Sequence, residues 1–272
     1  MIRHPAMAAI APDSSTSQKA RAAIRAGDWR APTAGLAPGC VQANLVILPA
    51  AQAFDFLRFC VYNPKACPVL DVTAPGATAP RSEWAVGADL RTDVPGYRVY
   101  RNGELAEEPT DLLSIWRDDF VSFLIGCSFT FEQAMIDAGI PVRHIECGCN
   151  VPMYRTNRAC TPAGEFAGPL VVSMRPIPNH LVDLAAQVTR RYLAVHCGPV
   201  HSGDPAALGI QRLETPDFGD PVPIYPGETP VFWACGVTPQ AVALAARVPL
   251  MITHAPGHMF LTDRRNTDLL EP

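Results

Sequence analysis

The sequence predicts an α/β protein: a three-layer domain with a mostly parallel sheet, carrying a smaller inserted α+β domain. Strand-like and helix-like segments alternate along the chain, with proline and glycine at the joints between them. Two distant segments also share one pattern, strand, tight turn, helix, strand. Between them lies a stretch of different character, rich in Pro, Gly, Asn and His. Alternation of this kind is typical of helices packed on a parallel sheet.

Composition narrows the class of protein and of partner. With 272 residues, 48% of them hydrophobic, the chain can bury a substantial core. Its 22 basic and 26 acidic residues give a net charge of -4 with no long run of either sign, so we expect no nucleic acid partner. The only lysines, Lys19 and Lys65, lie far from every dense motif, which argues against pyridoxal phosphate. A small molecule is the expected partner.

Cysteine count and hydropathy predict the compartment. Nine cysteines are an odd number for a disulfide framework in a chain of this size, so a reduced, cytoplasmic compartment fits best. Pro5 and Pro12 interrupt the N-terminal apolar run, and we therefore expect no signal peptide. The longest apolar stretch, Phe120 to Phe131, is shorter than the roughly 20 residues that span a bilayer. No membrane partner is expected.

The first third of the chain predicts a helix followed by a strand, a helix and a second strand. The segments are Ser17 to Ala26, Gln42 to Leu48, Ala50 to Tyr62 and Pro68 to Val72. Farther on, alternation on both sides of Asn102-Gly103 predicts a β-hairpin, because this dipeptide favours the turn that joins two adjacent antiparallel strands.

The repeated pattern covers Phe123 to Ile145 and Phe232 to Thr253. In each copy a threonine, Thr130 or Thr238, precedes a proline by eleven residues, at Pro141 or Pro249. We expect each threonine to cap a helix and each proline to start a strand. General βαβ sequence preferences explain the match equally well.

The intervening segment predicts the second domain. It contains a strand, Leu170 to Pro176, and a helix that begins near Leu181 and ends near His196. We place the inserted α+β domain at residues 142–222. The sheet domain then consists of residues 1–141 and 223–272.

The motif GCSFTFE places a turn, Gly126 to Ser128, between a predicted strand and a predicted helix. Amide groups and the helix dipole at such a turn favour an anion. Cys127 or Ser128 is a candidate nucleophile there, because thiol pKa values fall at helix starts. Alternatively, Cys127 is a small buried residue and the hydroxyl groups cap the helix.

The stretch RHIECGCNVPMYRTNRAC offers either a metal site or an anion site. Cys147, Cys149 and Cys160 form a C-x-C and a distant third, without the second pair that a structural zinc site needs. The remaining side chains favour a carboxylate, since arginine forks bind carboxylates in a bidentate manner. The candidates for substrate binding are Arg143, Asn150, Tyr154 and Arg155.

Two clusters, HCGPVHSGDP and THAPGHMFLTD, contain further histidines and carboxylates. Their spacing matches no helix-borne metal motif, although a site with two histidines and a carboxylate stays open for His196, His201, Asp204, His254 and His258. General acid or base catalysis is the other interpretation, because the pKa of histidine lies near neutrality. A structural role is the default for any one histidine.

Six motifs together resemble one family: GCSFTFE, RHIECGCNVPMYRTN, GPLVVSMRP, HCGPVHSGDP, PVFWACGVTPQ and THAPGHMFLTD. They are similar to those of the D-glutamate cyclase family, and the likeness extends from about Ala20 to Asp263. The bacterial members are catalogued as hydro-lyases. The resemblance implies dehydration of D-glutamate to 5-oxo-D-proline without a cofactor.

Lactam formation needs two bound carboxylates, a stabilised oxyanion and a proton carrier. We assign Arg143, Asn150, Tyr154 and Arg155 to the carboxylates, and Gly126, Cys127 and Ser128 to the oxyanion. The candidates for proton transfer are Glu132, His201, Asp204 and His254. No metal is assigned. Two alternatives remain, a hydro-lyase or hydrolase acting on another small carboxylate or lactam, and a non-catalytic carboxylate-binding protein. The sequence leaves the substrate's stereochemistry, and whether the chain forms a homo-oligomer, open.

Overall fold

The computed structural model describes residues 16–270, and the N-terminal run for which no signal peptide is predicted lies outside them. The helices are α1 Ser17–Ala26, α2 Ala50–Tyr62, α3 Phe129–Asp137, α4 Arg143–Cys147, α5 Val182–Arg190 and α6 Thr238–Ala245. The strands are β1 Cys40–Pro49, β2 Val69–Val72, β3 Tyr97–Arg101, β4 Glu104–Glu107, β5 Phe120–Gly126, β6 Met153–Ala159, β7 Pro169–Pro178, β8 His201–Ser202, β9 Glu228–Ala234, β10 Leu250–His254 and β11 Phe260–Arg265. Within this part of the chain, no helix combines the length and hydropathy needed to cross a membrane.

The larger sheet has seven strands, in the order β2-β5-β1-β10-β3-β4, with β11 pairing with β1. Every pairing in it is antiparallel. The α/β class predicted from the sequence is confirmed, but the mostly parallel sheet is wrong.

The crossover from β1 through α2 to β2 explains why the sheet was expected to be parallel. Strands β1 and β2 are joined by helix α2, as predicted, and both run antiparallel to β5. Strand β5 lies between them and comes from a later part of the chain. The local strand, helix, strand pattern was therefore identified correctly, but it carries no information about a strand that is inserted later.

Strand β1 is the centre of the larger sheet, and all ten of its residues are buried. Val46 and Leu48 pack on one face with Phe56 and Phe59 of α2. The other face packs against the irregular segments that precede and follow the β3–β4 hairpin, which include Leu90 and Leu112. A loop rather than a helical layer thus covers this face, which also departs from the predicted three-layer arrangement.

The smaller sheet has four antiparallel strands, in the order β6-β7-β9-β8. Strand β9, Glu228–Ala234, lies beyond the predicted boundary at residue 222, yet it pairs with β7 and β8. The division into two domains stays a prediction. The chain passes from the larger sheet to the smaller one between β5 and β6, and it returns between β9 and β10.

The repeated segments are these two passages between sheets. The threonine caps are wrong, because the N-cap positions of α3 and α6 are Ser128 and Val237. Thr238 instead accepts a hydrogen bond from the amide of Val171 through its hydroxyl oxygen. The strand predicted after Pro141 is also wrong, because the short helix α4 begins two residues later.

Among the sequence signals, turn and capping residues predicted the local structure most reliably. The hairpin of β3 and β4 is present, and Asn102 and Gly103 both have positive φ angles, 50° and 81°. Positive φ at both central residues is what the tight hairpin turn demands. Helix α1 has the predicted bounds, with Thr16 as N-cap and Gly27 in the left-handed conformation at its end.

Candidate active site

The turns after β5 and β9 are both held by Asn44 in the middle of β1. The Asn44 side-chain amide donates to the carbonyl oxygens of Gly126, at 2.7 Å, and Ile125, at 3.3 Å. On the other turn, a Cβ added to Gly236 would overlap the same amide. One buried asparagine therefore sets the spacing between the two turns, and both sheets contribute to this junction.

The side chains of both turns enter one apolar cluster, formed by Cys127, Phe129, Val151, Met153, Val171, Cys235, Val237, Ala241 and Met259. Burial raises the pKa of the Cys127 thiol well above its ordinary value, and it raises that of Cys235 to about 11. Both thiols are protonated at neutral pH, which weakens them as nucleophiles. The geometry favours the structural interpretation of Cys127.

A charged network lies next to this cluster. Arg175 on β7 is fully buried, and its Nε donates to Glu132 Oε1 at 3.0 Å. Its Nη2 bonds to the same oxygen and to the hydroxyl of Ser128, while Nη1 donates to Ser173 at 3.1 Å. His144 Nε2 lies 3.2 Å from that carboxylate oxygen. We call Ser128, Glu132, His144, Ser173 and Arg175 the buried charge network.

Aromatic rings complete the surroundings of the arginine. The guanidinium carbon lies 5.5 Å from the centre of the Phe131 ring and 5.4 Å from that of Trp233. Burial acts to raise the pKa of Glu132, but the charges of His144 and Arg175 outweigh it and hold that pKa below its usual value. Glu132 is therefore ionised at neutral pH. Its predicted catalytic role stays a prediction.

A cleft of about 450 Å³ opens where loops of the two sheets meet. Phe218 lines this cleft and packs against the apolar cluster beneath it. The polar side chains that line the cleft include charged groups of both signs together with an amide and an imidazole: Arg98, Glu108, Asn150, Asp217, Asp220 and His258. Of the side chains assigned to substrate binding from the sequence, Asn150 lies here.

Asn150 holds the loop that carries His258. Its side-chain Nδ2 donates to the carbonyl oxygen of Pro256 at 3.0 Å, and its backbone N–H donates to the carboxylate of Asp220 at 2.9 Å. Gly257 has a φ angle of +81°, and a Cβ added there would overlap the Asn150 side chain. The Pro256 carbonyl oxygen also lies 2.9 Å from Nδ1 of His258. A proton on Nδ1 satisfies this contact and leaves Nε2 as the basic nitrogen.

The electrostatic surroundings favour a neutral His258. Burial lowers the pKa of His258, and the positive charge of Arg98 acts in the same direction. The carbonyl groups of Pro256 and Arg30 and the carboxylate of Glu108 act against these effects without reversing them. Arg98 itself forms an ion pair with Glu108, at 2.8 Å. An unprotonated imidazole and a guanidinium group therefore share the cleft.

The other predicted substrate-binding residues have protein partners. Arg143 Nη2 pairs with Glu228 at 2.6 Å, and its guanidinium group lies over the ring of Tyr225 at 4.3 Å. Arg155 pairs with Asp217 at 2.8 Å, on the wall of a second cavity. Tyr154 lines that cavity too, and its hydroxyl donates to the carbonyl oxygen of Leu213 at 2.7 Å.

The remaining predicted catalytic residues lie outside the lining of the cleft. His201 Nε2 lies 2.8 Å from the carbonyl oxygen of Asp204, whose carboxylate accepts from the amide of Ala206. His254 on β10 is fully buried, its Nδ1 lies 3.2 Å from the amide nitrogen of Leu45, and burial lowers its pKa to about 4. Across residues 16–270, no three His, Cys, Asp or Glu side chains are grouped to hold a metal ion.

Sequence reasoning missed Arg98 and Arg175, and it named His258 only as one of several candidate histidines without assigning it to the site. Arg175 gave a signal, because a charged residue stands between apolar residues in the strand LVVSMRPIP. Such a residue is paired when it is buried, and it marks a candidate site. Arg98 lies in the hairpin strand β3 and gave no comparable signal, since an alternating strand normally exposes such a side chain.

A family model described as D-glutamate cyclase matches residues 121–263. The chain belongs to the D-glutamate cyclase family. The matched residues include both turns, the buried charge network and the loop that carries His258. The resemblance stated from the sequence motifs is thereby confirmed.

Curated relatives agree over almost the whole chain. Proteins named "Putative hydro-lyase" from Geobacillus kaustophilus and Saccharopolyspora erythraea are each 61% identical to it, over 93% of this chain and 96% and 98% of their own. One from Rubrobacter xylanophilus is 63% identical, over 92% of this chain and 96% of its own. The predicted enzyme class, a hydro-lyase, is confirmed. A nitrogen repressor-like protein from Methanococcus jannaschii superposes with a TM-score of 0.39 at 8% identity, covering 92% of this chain and 98% of its own, and no shared fold is inferred.

Proposed function

We propose that the chain dehydrates D-glutamate, or a similar small amino acid with a side-chain carboxylate, to a lactam of the 5-oxoproline type. The observation that carries this proposal is the charge pattern of the cleft between the sheets. It presents the guanidinium group of Arg98 and the imidazole of His258 close to the carboxylates of Glu108, Asp217 and Asp220. Its guanidinium group offers a partner to one substrate carboxylate, and its carboxylates offer a partner to the ammonium group.

The reaction balances without an external proton donor. The ammonium group gives up two protons, and its nitrogen attacks the side-chain carboxyl carbon. A C–N bond forms, a C–O bond breaks, and the departing oxygen takes the two protons and leaves as water. One neutral base that carries the two protons in turn from nitrogen to oxygen therefore suffices. Confinement in the cleft contributes by favouring the folded rotamer of the substrate.

His258 fits the role of this base. Its lowered pKa keeps the imidazole neutral at neutral pH, and the contact of Nδ1 with Pro256 leaves Nε2 to accept a proton. Arg98 is the proposed partner of a substrate carboxylate, since it reaches the cleft and its present partner, Glu108, is exposed. Asp220 is the proposed partner of the ammonium group.

The residues assigned from the sequence have supporting roles in this proposal. Glu132 forms part of the buried charge network beneath the cleft. The turn from Gly126 to Ser128 is the proposed oxyanion site. This role requires the apolar cluster, including Phe129, to open toward the cleft. Arg143 keeps α4 in place through Glu228.

The direct test is to incubate the protein with D- and L-glutamate and to follow 5-oxoproline by chiral chromatography, with and without divalent metal supplements. We expect product from D-glutamate. His258→Gln should lower kcat by roughly 10²- to 10⁴-fold, and Arg98→Ala should mainly raise KM. The matched control is Arg117→Ala, which removes an exposed arginine paired with Asp119 away from the cleft.

Absence of product from both enantiomers under every condition would reject the cyclase assignment. Stabilisation by D-glutamate that persists in His258→Gln, with no product from either protein, would instead indicate a carboxylate-binding protein.

A further inference from the structure

Two cavities beside the long connection from β8 to β9 share Gln211 and Arg212 on their walls. The first, about 210 Å³, is lined by polar groups that include Arg155, Thr215 and Asp217. The second, about 380 Å³, is largely apolar. Besides Gln211 and Arg212, its walls come from Pro205, Leu213, Glu214, Pro221, Val222, Pro223 and Ile224, so one carboxylate lies among the apolar groups. We call them the polar cavity and the proline-lined cavity.

The contacts within residues 16–270 do not explain the position of the Arg212 side chain. It is exposed, and within residues 16–270 it forms no hydrogen bond and no ion pair. The second arginine of the polar cavity, Arg155, is paired with Asp217, but half of its side chain is exposed to solvent. An exposed pair of this kind is weak and gives way readily to a competing anion.

The polar cavity has the donors that a phosphate group requires. Two guanidinium groups, the amide of Gln211 and the hydroxyl of Thr215 line it, against the single carboxylate of Asp217. Arginine forks bind phosphate oxygens in a bidentate manner. The wall is fixed in place, because the hydroxyl of Tyr154 holds the carbonyl of Leu213 and the backbone of Arg155 is bonded to Asp217.

The neighbouring cavity indicates that the ligand has an organic part. Leu213, Val222 and Ile224 are half-buried and belong to an apolar cluster with Tyr154 and Phe232. Because Arg212 and Gln211 belong to both cavities, a ligand held by Arg212 in the polar cavity lies beside this apolar surface. A bare inorganic ion would leave that surface unused.

We propose that the two cavities form a binding site for a small phosphate monoester, distinct from the cleft between the sheets. The phosphate group lies between Arg155 and Arg212, and the organic group packs against Leu213, Val222 and Ile224. Apart from Asp217, which lines both, the side chains of this site and those of the cleft are different.

Isothermal titration calorimetry on the full chain tests the site with three probes at matched ionic strength: inorganic phosphate, phenyl phosphate and phenol. We expect phenyl phosphate to bind at least 5-fold more tightly than inorganic phosphate, and phenol to show no binding. Arg212→Ala should weaken both phosphates at least 10-fold. Val222→Asp should abolish the advantage of the phenyl group. Arg191→Ala, an exposed arginine outside both cavities, is the matched control and should change nothing.

Three results would overturn the proposal: no binding of phenyl phosphate, equal affinity for phenyl phosphate and inorganic phosphate, or unchanged binding in Arg212→Ala. Because the measurement is of binding and needs no turnover, an inactive protein would bear on the cyclase assignment alone.

Discussion

At the scale of single residues, the buried charge network has the largest consequence. Arg175 and Glu132 are both buried, and their attraction offsets the cost of removing two charges from water. Such pairs add little net stability, but the loss of one partner leaves the other charge buried and uncompensated. The network is therefore sensitive to a change that alters charge while preserving shape.

Glu132→Gln is expected to lower the free energy of unfolding by about 3 to 5 kcal/mol, because Arg175 keeps its charge without a counter-charge. Urea denaturation at neutral pH measures the loss. The control is Asp217→Asn, which breaks the exposed pair with Arg155 and should cost at most about 1 kcal/mol. Equal losses in the two variants would contradict a dominant role for burial.

The pKa of His258 tests the direction in which each neighbouring charge acts on it. Arg98 acts to lower its pKa and Glu108 acts to raise it. NMR titration of the imidazole should give a pKa below the ordinary 6.5. In Arg98→Ala the pKa should rise, and in Glu108→Gln it should fall.

If either substitution moves the pKa in the opposite direction, the proposed arrangement of charges in the cleft is wrong. The pH profile of kcat/KM should follow the same group. Activity needs the neutral imidazole, so it should decrease as pH falls through the pKa of His258.

At the scale of secondary-structure elements, the two strand-to-helix turns depend on one close approach. Gly236 lies against Asn44, whose amide also holds the carbonyl oxygen of Gly126. A methyl group at Gly236 must displace that amide, and the displacement reaches the turn after β5. The spacing between the sheets is thus set by a glycine and an asparagine from different sheets.

Gly236→Ala is expected to lower the free energy of unfolding by about 1 to 3 kcal/mol or more through this overlap. Gly96→Ala is the matched control, because neither glycine has a positive φ angle and a Cβ at Gly96 meets nothing closer than 3.5 Å. Thermal denaturation of both variants provides the comparison. A Gly236→Ala protein as stable as Gly96→Ala would show that the turns tolerate displacement of Asn44.

How far the sequence predicts this fold depends on the distance over which each signal acts. Helix α2 and the Asn102-Gly103 hairpin were predictable because hydrophobic period and turn chemistry are local. The direction of pairing was not predictable, since β1 pairs with β5 and β10, which come from much later in the chain. Helix α4 was mistaken for a strand, because five residues are too few to show a helical period.

The residues of the candidate site were likewise predictable where the signal was local and not where it depended on distant contacts. Asn150 was found because a dense polar motif surrounds it, and the structure places it in the cleft. Arg155 belongs to the same motif, but it lies on β6 whereas Asn150 precedes that strand, and sequence proximity does not fix a shared cavity. Arg98 enters the cleft from a hairpin far away in the chain. Its contribution becomes visible only once the larger sheet is assembled.

At the scale of the whole molecule, two fully buried histidines contribute to the loss of stability in acid. His196 and His254 are fully buried, and burial lowers the pKa of each from 6.5 to about 4. Between these values the unfolded chain binds more protons than the native protein. Stability is therefore complete above pH 6.5 and declines as the pH falls toward 4.

Each histidine should contribute a loss of roughly 2 kcal/mol between pH 7 and pH 5, because stability falls by about 1.4 kcal/mol per pH unit below 6.5. Urea denaturation at the two pH values measures the sum. His196→Asn removes one titrating group and should reduce the pH dependence accordingly. An unfolding free energy that is the same at pH 7 and pH 5 would contradict this account.

The two passages between sheets also set the order of assembly during synthesis. Strand β10 lies between β1 and β3, so the larger sheet remains divided until residues 250–254 have left the ribosome. Among residues 16–270, the β3–β4 hairpin pairs with no strand other than β10 and must wait for it. Pairing across such long sequence separations is slow. We therefore expect the nascent chain to complete its smaller sheet first, and to become resistant to proteases only once residues 250–254 have emerged and paired.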